Sequence, residues 1–122
     1  MCGRHWPYNL AELTWLLDLC FGWKAAAPGR EVILLGGDIH VGVDSLITDE
    51  HTRTSIRHLT TSPITNNPGV FHCEHEGRLS ERYTYTHTPL EKAHNYASLD
   101  IRLEGDVVRS SLELVGIAKP SA

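Results

Sequence analysis

The chain has 122 residues, 41% of them hydrophobic and 21% charged, with a formal net charge of −4. That length suits one domain with a core of modest size, and an acidic balance with no basic run excludes a general binder of nucleic acid or of anionic membrane surface. No apolar run approaches the roughly 18 residues of a membrane span, and the opening "MCGRHWPYNL" lacks the apolar centre of a signal peptide. A soluble, cytoplasmic protein is therefore expected. Cys2, Cys20 and Cys73 form no C-x-x-C pair and cannot all be bridged within one chain, in keeping with a reducing compartment or simply with three unpaired thiols. Eight histidines are many for this length, and they raise the prior for a metal site only slightly.

The first element in chain order is a helix. Asn9 is a good N-cap and Glu12 sits three residues on, the spacing of a capping box, with Tyr8 and Leu13 placed as a hydrophobic staple. Leu10, Leu13, Leu17, Cys20 and Phe21 follow the spacing of one buried face, and Trp15, Leu16, Leu19 and Trp23 widen it, which predicts burial on more than one side. Pro28-Gly29 ends the helix. Residues 31–36 are too short for a helix and apolar at four successive positions, the pattern of a strand covered on both faces in the parallel part of an α/β sheet. Residues 43–48 and 55–60 read as two strands joined by the polar turn "DEHTRT", and "SPITNNPG" reads as a loop. Residues 70–75 and 82–87 read as strands flanking a connection that contains Gly77. A hairpin closes the chain, with residues 96–103 and 107–115 alternating about Glu104-Gly105-Asp106, followed by a frayed tail. The fold class expected is α+β, or a partial α/β: one helix and one buried strand, then antiparallel hairpins, within a single domain spanning residues 1–122.

The chemistry concentrates in "LLGGDIHVG". In α/β sheets, ligands bind beyond the carboxyl ends of the strands, where glycine lets the backbone turn and approach closely. Asp38 supplies a hard oxygen and His40 a borderline nitrogen, a mix that suits Mn, Fe or Zn ions in hydrolytic two-metal sites. Two donors are too few to hold an ion tightly. On residue chemistry alone, an Asp38 that caps a turn and a His40 bonded locally stay ahead of a ligand pair.

"ELTWLLDLCFGWKAAAPGREVILLGGDIHVG" resembles the C-terminal segment of the PhoD-like (alkaline phosphatase D) branch of the calcineurin-like metallophosphoesterases, where a helix leads through a Pro-Gly turn into a buried strand ending in G-D-[IV]-H. The likeness continues, more weakly, through "RHLTTSPITNNP" and "HNYASLDIRLEGDVVRSSLEL". It implies the C-terminal half of a metallophosphoesterase β-sandwich, with Asp38 and His40 as metal ligands and Gly37 and Gly42 as backbone-permissive neighbours. A phosphate ester is the implied substrate, and Fe, Mn, Ca or Zn the implied metals. A rival alignment takes "DIHVG" as the family's first D-x-H motif. G-D-x-x-D and G-N-H-[DE] should then follow, but the chain offers only "GDVVR" at 105–109 and no G-N-H.

On either alignment most metal ligands and the phosphate-stabilising Asn-His pair lie outside these residues. The chain is thus expected to be a C-terminal fragment of a larger domain and inactive alone, with no catalytic residue of its own. The competing expectation is a non-catalytic, degenerate remnant that binds or assembles, since half an α/β sheet leaves strand edges and an apolar helix face uncovered and favours a homo-oligomer. A third reading is a small metal-binding protein that uses the histidine excess. Smaller features read as structure: "FHCEHEG" splits His72 and Glu74 from Cys73 and His75 across a strand, Tyr83, Tyr85 and His87 form a packing stripe, and Asp49-Glu50-His51 lies in a turn. "HNY" at 94–96 and "TTSPIT" are candidate neighbours of the cleft.

Overall fold

The computed structural model describes residues 9–65 and 74–117, a mixed α+β arrangement of one helix and seven strands in two sheets. Helix α1 spans Leu10–Ala25. Asn9 caps it as its spacing predicts: Asn9 Oδ1 accepts from the Glu12 backbone N–H at 3.1 Å, and Asn9 Nδ2 donates to the Glu12 carboxylate at 2.8 Å. The return bond thus runs between side chains instead of reaching the cap backbone. Tyr8, the other half of the expected staple, lies outside the described residues, as do Cys2, His72 and Cys73. Among the described residues, α1 is not long and apolar enough to cross a membrane.

Strands β1 (Ile33–Gly36), β2 (Val43–Asp49), β3 (Thr54–Thr60), β4 (Glu76–Arg78) and β5 (Tyr83–His87) form one sheet in the order β1-β3-β2-β5-β4. Only β1 and β3 run parallel, with Gly36 opposite Thr60; the other pairs are antiparallel. Strands β6 (His94–Glu104) and β7 (Val107–Ile117) make a separate two-stranded hairpin. Gly105 sits at its turn with φ 64°, the conformation a two-residue loop of this kind needs at its first position.

Alternation decides which residues meet the helix. Ile47, Ile56 and Tyr83 point to one face and pack with Leu13, Leu17 and Phe21 of α1. Phe21 and Tyr83 stack with ring centroids 5.3 Å apart, and the Tyr83 hydroxyl donates to Asp18 at 2.6 Å. Burial and the neighbouring Asp18 carboxylate push the Tyr83 phenol well above its ordinary range. At the end of β2 the fully buried Asp49 carboxylate receives two Arg82 bonds, at 3.0 and 2.7 Å, and the His51 backbone N–H at 3.0 Å. These donors hold its pKa far below the usual carboxylate range, so Asp49-Glu50-His51 is a structural turn, as its polar setting suggests.

Several expectations are corrected. The strand after the Pro-Gly turn is not covered on both faces: it is an edge strand, with Val32 and Leu34 half-buried toward the helix and Leu35 60% exposed on the other side. Trp15, Leu19 and Trp23, expected to be buried, are 62%, 51% and 51% exposed, because a single sheet can cover only one stripe of a helix. The strand expected at 70–75 falls partly outside the described residues. Glu74 and His75 within it are not in a strand, and β4 instead occupies the Gly77 segment read as a connection. A Cβ at Gly77 would lie 2.6 Å from the Tyr85 hydroxyl on the paired strand, so the tyrosine lies across this glycine and would have to move for any larger residue.

Candidate metal-ligand loop

Because β1 and β3 are parallel neighbours, their carboxyl ends emerge side by side and launch two loops from the same end of the sheet. The first, residues 37–42, carries GDIHVG; the second, residues 61–63, carries Thr-Ser-Pro. They are tied together at once: the Thr61 N–H donates to the Gly36 carbonyl at 3.1 Å, and the His40 N–H to Ser62 Oγ at 3.3 Å. A Cβ at Gly36 would lie 3.3 Å from both His58 Nε2 and Thr60 Oγ1, a tight fit that a small shift of those side chains would have to relieve.

Asp38 and His40 both adopt left-handed backbone conformations, with φ of 67° and 57°. For residues other than glycine this costs on the order of 1 kcal/mol each, and such conformations gather at functional sites. Asp38 is exposed and His40 is half-buried. Val41, fully buried, anchors the loop on the core, and Gly42 exchanges two backbone bonds of 2.8 Å with Glu91.

Asn95 holds the rest together. Only 1% exposed, it uses its whole amide: Oδ1 accepts from Thr61 Oγ1 and from the Ser62 N–H, both at 2.9 Å, while Nδ2 donates to the Ser62 carbonyl at 2.8 Å and the Ala93 carbonyl at 2.9 Å. Its backbone N–H reaches the Pro63 carbonyl at 2.9 Å, and the peptide between Ser62 and Pro63 is cis. Asn95 also sits where a Cβ on Gly42 would go, at 2.8 Å. The three stretches singled out in the sequence, GGDIHVG, TTSP and HNY, are therefore in direct contact. The sequence marks Asn95 only as part of a neighbouring stretch; its role as the hub is not legible there, because a buried asparagine at the start of a strand has no periodic signature.

The donor set stops short of a metal cage. Among the described residues no three His, Cys, Asp or Glu side chains come together to hold an ion. Asp38 and His40 have the right donor chemistry for two positions of a coordination shell of the Fe, Mn or Zn kind. Gly105-Asp106, the counterpart of G-D-x-x-D in the rival alignment, forms the exposed tip of the β6–β7 hairpin and lies in a turn.

One polar row was not anticipated. Pairing across the sheet sets His58, Ser45 and His87 in line on β3, β2 and β5. Ser45 Oγ and His87 Nδ1 are 2.7 Å apart, whereas His58 Nδ1 and His87 Nε2 are buried with no hydrogen-bond partner among the described residues. Burial keeps both imidazoles neutral, lowering the His58 pKa and taking that of His87 down to about 4. The Tyr85 and His87 rings, neighbours on one face of β5, lie tilted with centroids 4.7 Å apart. Comparison of the chain with family models, with curated proteins and with solved structures gives no match, so its functional reading rests on the geometry of this loop.

Proposed function

We propose that this chain supplies one wall of a binuclear metal centre in a phosphoesterase of the PhoD-like kind, with Asp38 and His40 as its contributed ligands. The observation that carries the reading is the placement of a doubly left-handed Asp-x-His loop beyond the carboxyl ends of a parallel strand pair. Bound ions in such a centre would polarise the phosphoryl group and generate a nucleophile from water at neutral pH. The chain's own residues do something narrower. Asp38 and His40 offer oxygen and nitrogen donors, and Ser62, itself held by Asn95, accepts the His40 backbone N–H. The remaining ligands would come from a further segment or chain.

Manganese titrated into isotopically labelled protein tests this directly. The Asp38 and His40 signals should broaden first, and Asp38→Ala or His40→Ala should remove the effect. Broadening led by His51 or His75, or insensitive to both substitutions, would sink the proposal. Bis-p-nitrophenyl phosphate should not be turned over by this chain above the metal-only blank. The second reading is a non-catalytic module that binds or assembles, and the two-donor count among the described residues favours it. It predicts no selective broadening at residues 38–40.

A further inference from the structure

We infer that His87 is an acid-sensitive latch on the candidate loop: a proton taken up at its buried Nε2 unfastens residues 87–91 from residues 42–45 and frees the C-terminal end of the 37–42 loop. The two segments run side by side as one strip. His87 pairs with Ser45 at the end of β5, the Thr88 N–H donates to the Asp44 carbonyl at 2.9 Å, and Gly42 exchanges its two 2.8 Å bonds with Glu91. The strip thus starts at the His87 ring and finishes at the last residue of the loop. The bond from the His40 N–H to Ser62 Oγ is longer, at 3.3 Å, and the left-handed backbone at Asp38 and His40 favours relaxation once one end of the loop is released.

The ring is set to resist a proton. Ser45 Oγ and His87 Nδ1 are 2.7 Å apart, so one ring nitrogen is occupied. Nε2 is buried and has no hydrogen-bond partner among the described residues. In a neutral imidazole one ring nitrogen can stay bare, and Nε2 fills that role when Nδ1 donates to Ser45. Imidazolium carries an N–H at both nitrogens. Acid therefore forces a charge, and a donor with no acceptor, into a buried position.

The neighbouring charges add to the resistance. His58 stands on β3 beyond Ser45 on the same face, and His75 precedes β4 and accepts the His87 N–H through its carbonyl at 2.6 Å. Both imidazoles oppose a positive charge on His87. The nearby carboxylates are engaged elsewhere. Asp44, on the opposite face, is held by Arg57; Asp18 of α1 binds Tyr83 and Arg82; Glu74 acts on Tyr85. β1 adds Leu34 and Gly36 to this face, and neither is charged.

Position in the sheet decides where the strain is relieved. His58 lies inside β3, paired with β1 on one side and β2 on the other. His87 is the last residue of β5, and β4 pairs with β5 only as far as Thr86. A protonated His87 reaches water by fraying at residues 87–88, which begins to open the strip. The latch acts on the loop backbone, so it holds whether or not Asp38 and His40 bind an ion.

Amide hydrogen exchange at about pH 7 and about pH 5, expressed as protection factors corrected for intrinsic rates, tests the latch. Protection at Gly42, Thr88 and Glu91 should fall about tenfold between the two conditions, while the β2–β3 ladder changes less than about twofold. His87→Gln keeps a hydrogen-bonding group for Ser45 but cannot titrate, and it should abolish the fall. His51→Gln, in the exposed turn at the far end of β2, should leave the fall intact. A readout on the unaltered chain accompanies these: the His87 ring signals should titrate well below the ordinary histidine value, with the Gly42 and Glu91 amide shifts following the same midpoint. Protection that does not change, or a fall that persists in His87→Gln or disappears in His51→Gln, overturns the inference. So does a His87 ring that titrates at about 6.5, or a loss shared equally by the β2–β3 ladder.

Discussion

Replacing Asn95 by alanine should loosen the candidate loop before it loosens the rest of the protein. The side chain makes four hydrogen bonds from a position 1% exposed, and alanine makes none of them. The Thr61 hydroxyl, the Ser62 N–H and the Ser62 and Ala93 carbonyls lose their partner, although the half-buried setting of Thr61 and Ser62 lets water recover some. At about 1 kcal/mol for each bond not recovered, the expected loss is about 2–4 kcal/mol, read as a lower urea midpoint at unchanged slope. Hydrogen exchange locates the damage: protection at the Ser62, His40 and Gly42 amides should fall further than at the β2–β3 ladder. Asn95→Asp sharpens the test, because a carboxylate keeps the two accepting roles but faces the Ser62 and Ala93 carbonyls with negative charge. Its folded-state pKa must then lie above that of the unfolded chain. The folded form binds more protons, and stability should fall as pH rises from about 4 to 7. A loss below about 0.5 kcal/mol for the alanine variant, with Ser62 exchange unchanged, would refute the hub role assigned to Asn95.

Two further outcomes follow from the same geometry. Gly42→Ala would drive a Cβ to 2.8 Å from the Asn95 amide and should cost about 1–3 kcal/mol by thermal denaturation, with the loss largely absent when Asn95 is already alanine. His87, with its pKa held at about 4 by burial, binds fewer protons folded than unfolded below the ordinary histidine value. Stability should therefore drop as pH falls from about 6.5 toward 4. His87→Gln should flatten that slope by about 1–2 kcal/mol in urea midpoints measured across the window, the partial exposure of the ring screening the remainder.

Local chemistry determined a good part of this protein. Asn9 and Glu12 start a helix, Pro28-Gly29 end it, alternation marks β2, β3 and the closing hairpin, and Gly105-Asp106 turns it, because caps, periodicity and turn residues act between neighbours in the chain. The hairpin runs further than expected, to His94 and Ile117, since pairing with a partner strand extends a pattern past its clearest residues. What the pattern could not decide is which apolar surfaces find a cover. Trp15, Leu19, Trp23 and Leu35 look like core in the sequence, yet burial depends on what lies opposite, and α1 has one sheet beneath it and nothing described above. The same holds for the candidate site. Asp38 and His40 were legible as a donor pair after a strand, whereas their left-handed backbone, the Ser62 contact and the Asn95 hub depend on bringing residues 36–42, 61–63 and 91–95 to one end of a parallel pair. That convergence arises from strand pairing between segments distant in the chain, and only the tertiary structure decides it.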